Sequence, residues 1–364
     1  MLNSVCPAGA WIGQSPVERI IPRRETLEDH SLVPQDVTVR ASGVMLGESV
    51  SFLSSPKPWN GVAASHQENA VRSWLALHPK SEVILYGDAP GTAEACRRSG
   101  ATHVVDIAGT DAGLPYFNAI VAHAALHARH DLQVYLNCDI LLRHDFLKTV
   151  AQLQWAKFLM IGQRIDLPEG EPQHAELAQD DRWLKALART GRLVLHPPDG
   201  SDYFVFPRGM WKGVPVITIG RGAYDNALIA WCLLHRIPVV DATLKVVALH
   251  QFHDYGHVEG GKKEIFHGVE TEENLSVCRR FGGIIPTLED ATWMFRRGKL
   301  SRSFARGDWM RGLLDRHLRW IPGHCGRRAV VRAWGLASRV GLTRESPFDL
   351  SDLPIFRHNS PQLL

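Results

Sequence analysis

The sequence predicts an α/β protein: a mixed, mainly parallel sheet with helices on both faces, plus a basic helical C-terminal region. Three observations carry that expectation. Between about 49 and 142, short apolar runs of strand length alternate with longer amphipathic stretches of helix length, the order that strands joined by crossover helices require. After 150 the order becomes mixed, with apolar runs at 158–162, 201–206 and 239–249 broken by helical periodicity at 182–190 and 224–234. From Trp293 to Arg344 the chain holds 13 Lys and Arg against two acids, Asp308 and Asp315, although all 364 residues together carry only +3. The charge points to an anionic partner, and the Trp and Leu interleaved with it from about 290 onward read as basic helices.

Residues 1–48 carry Pro7, Pro16, Pro22 and Pro34 without sustained periodicity and read as an irregular arm. Alternation begins at Ser49-Val50-Ser51-Phe52-Leu53 and breaks at Ser54-Ser55-Pro56-Lys57-Pro58, which predicts a first strand. Val71, Trp74, Leu75 and Leu77 then share one helical face, ended by His78-Pro79. Glu82-Val83-Ile84-Leu85-Tyr86 is a second strand stopped by Gly87-Asp88. A short helix at 92–99 closes on Gly100, and 102–107 forms a third strand. A helix over about 116–130 and a strand within 132–142 complete the alternating part. These boundaries give an arm at 1–48, a main domain at 49–289 and a basic helical extension at 290–364.

The longest apolar stretch, Ala227 to Leu234, is far short of the roughly 20 residues needed to cross a bilayer. The first residues lack the basic and apolar regions of a secretory signal. Six scattered cysteines without a CxxC pair suggest reduced thiols and a cytoplasmic setting. No recognition motif accompanies the basic block, so nucleic acid is not expected. Two readings of 293–344 stay open: a solvated basic helical surface that packs its Trp and Leu on the main domain, or peripheral docking to the anionic inner face of a membrane or to an anionic glycan.

Ligands of parallel sheets bind beyond the carboxyl ends of the strands, which singles out Ser54-Ser55, Gly87-Asp88 and Asn137-Cys138-Asp139. A buried carboxylate at Asp139 needs a partner or a metal; it suits Mg²⁺ or Mn²⁺ bound with phosphate oxygens, or it caps the following turn. His250-Gln251-Phe252-His253-Asp254-Tyr255-Gly256-His257 follows an apolar run. His250, at the strand end, reads as a second metal ligand, while His253 and His257 read as surface or supporting residues. Within Gly220-Arg221-Gly222-Ala223-Tyr224-Asp225-Asn226, Asp225 sits in a first helical turn, where it either caps the helix or acts as a general base. Arg164 and Arg221 are candidate diphosphate clamps or structural ion-pair partners. Asp202 is a candidate acceptor-binding carboxylate or a turn residue.

As an ordered set, these segments resemble the GT-A fold of glycosyltransferases, a Rossmann-like architecture, and more narrowly an uncharacterised plant and bacterial group. The matching stretches are Phe52-Leu53-Ser54-Ser55-Pro56-Lys57-Pro58, Ser73-Trp74-Leu75-Ala76-Leu77, Leu136-Asn137-Cys138-Asp139-Ile140, 200–207, 220–226 and 250–255. The resemblance implies transfer of a sugar from a nucleotide-diphosphate donor to a glycan or lipid-linked acceptor, as in polysaccharide biosynthesis. It implies that Ser54, Ser55 and Asp88 hold the nucleotide, that Asp139 is the retained acid of a DxD-like motif, and that His250 is the C-terminal metal ligand. Asp225 would be the base of an inverting reaction. Asn137 departs from the motif, standing where its first acid would be. A sugar-phosphate nucleotidyltransferase would use a similar sheet, but the loop after the first strand lacks that class's glycines. A non-catalytic nucleotide- or carbohydrate-binding protein is the further alternative.

Overall fold

The alternation in the first apolar runs divides the core in two. In β1 (Ser51–Ser54) Phe52 faces one side of the sheet and Leu53 the other. In β2 (Glu82–Tyr86) Val83 and Leu85 join Phe52, while Ile84 and Tyr86 join Leu53. Both strands are buried throughout, as parallel strands under helices must be. On the Phe52 side lie α1 (Gly61–Leu75), which contributes Ala70, Val71 and Trp74, then α2 (Thr92–Ser99) and α4 (Phe146–Val150). The opposite side is covered by α3 (Phe117–His127), α7 (Tyr224–Leu234) and α8 (Val269–Arg279). This computed structural model describes residues 49–253, 267–280, 285–296, 298–303, 353 and 355–356.

The main sheet adds β3 (Thr102–Val104), β4 (Leu132–Leu136), β6 (Leu159–Ile161), β9 (Tyr203–Pro207), β10 (Val239–Asp241), β12 (Trp293–Arg296) and β13 (Lys299–Arg302). Its nine strands run in the order β13-β12-β10-β6-β9-β4-β1-β2-β3. All pairs are parallel except those made by β9 and the edge strand β13. Because β9 runs against β4, its first residue, Tyr203, pairs with the last, Leu136. The loop entering β9 therefore lies at the carboxyl edge of the sheet.

A second sheet, in the order β5-β11-β7-β8, was not legible as such in the sequence. It is built from β5 (Ile140–Leu142), β7 (Ile165–Asp166), β8 (Val194–Leu195) and β11 (Ala248–His250). Ile140, Leu142 and Ala248 face the main core. Leu141, Ile165 and Leu249 face a third cluster with α5 (Ala175–Ala178), α6 (Asp181–Arg189) and Leu353. α6 starts where the Asp180 side chain accepts the N–H groups of Arg182 and Trp183.

The mixed, mainly parallel sheet with helices on both faces agrees with the expectation, and β2, α2 and α7 fall where the sequence places them. The start of the expected basic helical extension does not. Residues 293–302 form a hairpin that continues the main sheet, with Phe295 buried, Trp293 and Leu300 packed on the core, and Arg296 exposed. Positive φ at Gly298 makes the turn, and the Arg302 guanidinium lies over the Trp293 ring at 5.3 Å. Trp293 and Phe295, two positions apart, pack on the core, the period of a strand rather than of a helix. The arm at 1–48, His257 and residues 304–352 lie outside the described residues. Among the described residues, no helix is long and apolar enough to cross a membrane, and Cys96, Cys138, Cys232 and Cys278 are free and buried.

Candidate metal centre

Register in the second sheet assembles the site. His250 pairs with Ile140 on one side and with Asp166 on the other. That puts His250 one position from Asp139 and directly beside Asp166. The polypeptide continues past His250 to Gln251, whose N–H reaches the Asp139 carbonyl at 3.2 Å and whose side-chain amide holds the His66 carbonyl at 2.8 Å. His253 is thereby carried back over Asp139. Asp139 Oδ2 lies 3.1 Å from His253 Nε2, 3.2 Å from Lys57 Nζ and 4.0 Å from His250 Nε2. Its other oxygen, Oδ1, is buried without a partner.

Asp139, His250 and His253 each offer a ligand atom, all within 4.8 Å of one another. The group suits a divalent ion. The unpartnered Oδ1 is costly in its buried setting unless something binds it, and two imidazoles with one carboxylate form a familiar three-ligand set that leaves positions open. Asp166 prepares His250 for this role: its Oδ1 takes His250 Nδ1 at 3.1 Å, which leaves Nε2 with a free lone pair toward Asp139. The same carboxylate holds His196 Nδ1 at 2.9 Å and Arg164 Nε at 2.7 Å. Burial alone would raise the Asp139 carboxyl; Lys57, the His253 hydrogen bond and the neighbouring His250 instead hold it well below the usual carboxylate range. Asp166 is likewise held low, against burial, by His196, His250 and Arg164. Burial pushes the His66 imidazole down to about 4, with His253, His250 and Lys57 acting the same way against the pull of Asp139. Its Nδ1 is also buried without a partner.

The other expected residues divide between a second network and isolated positions. Asn137 donates its amide to Asp202 Oδ1 at 2.5 Å, and its carbonyl oxygen accepts Tyr224 Oη at 3.1 Å. Asp202 also takes the Arg164 guanidinium, so Arg164 is committed to Asp202 and Asp166. Of the two readings open for Arg164, the ion-pair partner is the one observed. Asn137 itself has a structural reason: an acid there would face the Asp202 carboxylate. Asp225, in the first turn of α7, also reaches beyond its own helix: its Oδ2 accepts the Ser201 N–H at 2.9 Å, and Tyr224 ties the same segment to Asn137 through its hydroxyl, which also reaches the Ser201 carbonyl at 3.3 Å. Burial pushes the Asp225 carboxyl up to about 7, partly offset by the N–H groups of Ser201 and Asn226 and reinforced by the Asp202 charge.

Ser54 donates to the Leu136 carbonyl at 2.7 Å, binding the end of β1 to the end of β4. Ser55 lies beside Gly87. Asp88 is exposed at the end of β2, outside both networks. Arg221 lies 4.0 Å from Glu270 and donates to its own neighbour Gly220, away from the Asp202 network. His253, expected at the surface or in a supporting role, joins Asp139, because the register of β11 with β5 directs the following residues back over the strand end. Lys57, His66, Asp166 and His196 were missed. Lys57 and the histidine run were visible in the sequence, but only the register shows which of them converge.

No family model matches the chain, and no curated protein matches it either. Among solved structures it is similar to glucosyl-3-phosphoglycerate synthase from Mycobacterium tuberculosis in complex with Mg²⁺ and uridine-diphosphate, at 15% identity and a TM-score of 0.38, covering 71% of this chain and 87% of that one. It is also similar to a mannosyltransferase from Pyrobaculum calidifontis in complex with GDP-Man and Mn²⁺, at 13% identity and a TM-score of 0.39, covering 81% of each chain. Likeness at this level assigns neither a family nor an activity.

Proposed function

We propose that the chain is a GT-A-type glycosyltransferase that moves a sugar from a nucleotide-diphosphate donor to an acceptor hydroxyl, with Asp139, His250 and His253 holding Mn²⁺ or Mg²⁺. Two imidazole donors favour Mn²⁺, since Mg²⁺ prefers oxygen ligands. The observation that carries the reading is one of pairing. A two-histidine, one-carboxylate group and a separate buried carboxylate, Asp225, poised near pH 7, stand within linked networks at one edge of the sheet. The first suits a departing diphosphate and the second an incoming hydroxyl.

When bound, the ion supplies Lewis-acid stabilisation of charge on the leaving diphosphate. Asp225 takes the acceptor proton; a carboxyl near 7 matches that task close to neutral pH. One displacement with one base inverts the anomeric centre. Ser54, Ser55 and Asp88 form the nucleotide side, Asn137, Asp202 and Arg164 brace the donor's sugar side, and Arg221 approaches from the loop before α7. The acceptor is a glycan or lipid-linked hydroxyl, and the basic stretch to Arg344 brings the protein to an anionic membrane face. Sedimentation with anionic liposomes at low salt tests that last part, and absence of binding ends it.

The test of the function is donor turnover across UDP- and GDP-sugars with Mn²⁺. The expected result is nucleotide release that is lost in Asp139→Ala together with Mn²⁺ binding. Unchanged Mn²⁺ binding by calorimetry in that variant would refute the metal assignment. A lysine in the loop after β1, poised on Asp139, is the feature that favours a sugar-phosphate nucleotidyltransferase instead; pyrophosphate release from a nucleoside triphosphate would establish that reading.

A further inference from the structure

Lys57 stands where a metal ion would. Its ammonium lies 3.2 Å from Asp139 Oδ2 and 3.3 Å from His253 Nε2, two of the three atoms of the candidate ligand set. A divalent ion bridging those two atoms at roughly 2.0–2.2 Å from each would compete with the ammonium for Asp139 Oδ2 and His253 Nε2. The lysine backbone is fixed while its stem is not. Gln67 on α1, itself buried, takes the Lys57 N–H at 2.6 Å and donates to the Lys57 carbonyl at 3.0 Å, whereas the Lys57 side chain is one-third exposed. Of the two cations expected at a diphosphate, Arg164 is held by two carboxylates and Arg221 faces Glu270. Lys57 is the one whose charge sits on a metal ligand and whose flexible four-carbon stem can swing from it.

We propose that Lys57 is an exchangeable stand-in cation. It neutralises Asp139 before the metal arrives, yields the carboxylate to the ion, and then contacts the diphosphate of the donor. Metal and nucleoside diphosphate therefore bind with positive coupling, because each provides the place the displaced charge must leave or reach. This inference rests on the metal reading above and adds to it a residue that links metal and nucleotide.

The experiment is a titration of the full chain with Mn²⁺, followed by the electron paramagnetic resonance of the free ion, for wild type, Lys57→Met and Lys57→Gln, each checked for folding by circular dichroism. Each titration is repeated with UDP, GDP, ADP or CDP present. Without nucleotide, both variants are expected to bind Mn²⁺ about tenfold more tightly than wild type. A nucleoside diphosphate is expected to tighten Mn²⁺ on wild type by a similar factor and on the variants much less. Equal Mn²⁺ affinities in all three proteins would overturn the exchange while leaving the metal site standing. Tighter Mn²⁺ in the variants with undiminished nucleotide coupling would overturn the diphosphate contact. Binding by the variants and never by wild type would make Lys57 a permanent replacement for the metal, which also overturns exchange. Absence of Mn²⁺ binding in all three would remove the metal reading itself, and this inference with it.

Discussion

Replacing Asp225 with asparagine should separate stability from function. The Asp225 carboxyl is pushed from its ordinary 3.8 to about 7, chiefly by burial. At about 1.4 kcal/mol per pH unit, that displacement corresponds to about 4 kcal/mol against the ionised form. The folded-state value is raised, so the folded chain binds the proton more tightly than the unfolded chain. The stability this contributes is fully present below 3.8 and is lost as the pH rises through about 7. The substituted amide would carry no such term, yet its oxygen can still accept the Ser201 N–H. The stability difference, Asp225→Asn minus wild type, should therefore grow by about 4 kcal/mol between pH 4 and 8, with more than half of that change above pH 5. Subtracting the two proteins removes the pH dependence of other carboxyls, including Asp241, which burial raises to about 6. Urea denaturation at pH 5, 6.5 and 8 measures the difference, and a flat difference across that range would refute the burial argument. The same variant should lose transfer while retaining nucleotide binding. Wild-type kcat should rise along a limb near pH 7, and near-normal turnover in Asp225→Asn would remove it as the base.

The remaining predictions concern the two networks and the packing beneath them. Asp166→Ala frees His250 Nδ1 and His196 and should weaken Mn²⁺ about 10- to 100-fold by calorimetry; an unchanged affinity would mean that Asp166 serves only the fold. Asn137→Asp would set a carboxylate 2.5 Å from Asp202 in place of an amide donor and should lower stability in urea by about 1–3 kcal/mol at neutral pH. Wild-type stability in that variant would show that the two side chains do not meet. A Cβ at Gly162 would collide with the buried Tyr203 hydroxyl, so Gly162→Ala should cost about 1–3 kcal/mol by overpacking; thermal melting reads this directly.

What the sequence shows and what it hides follow from the reach of each interaction. Glu82–Tyr86 and Thr92–Ser99 are legible because Gly87-Asp88 and Gly100 punctuate them locally. The second sheet is hidden because Ile165–Asp166 and Val194–Leu195 are two residues each, too short to display alternation. Residues 293–302 misled by their charge: Arg296 and Lys299 sit on the outer part of an edge hairpin, where basic residues discourage further strand pairing. Asp139, His250 and Asp225 could be singled out because each stands at a strand end or a helix start. His253, Asp166 and Lys57 could not be placed, since each acquires its meaning from a partner more than 80 residues away or across a strand register.

The reversed strand β9 has a consequence for how such a site can diversify. Asn137 and Asp139 stand where a strand leaves the sheet, whereas Ser201 and Asp202 stand where one enters it. These two parts of the site are therefore written in separate stretches of gene, joined by cross-strand hydrogen bonds rather than by a shared loop. Residues 197–200, between His196 and Ser201, carry none of the side-chain contacts of the site and can change composition without shifting the register of β4. On the proposed function, selection for a new acceptor can then act on this segment while Asp139, on β4's side, keeps its place.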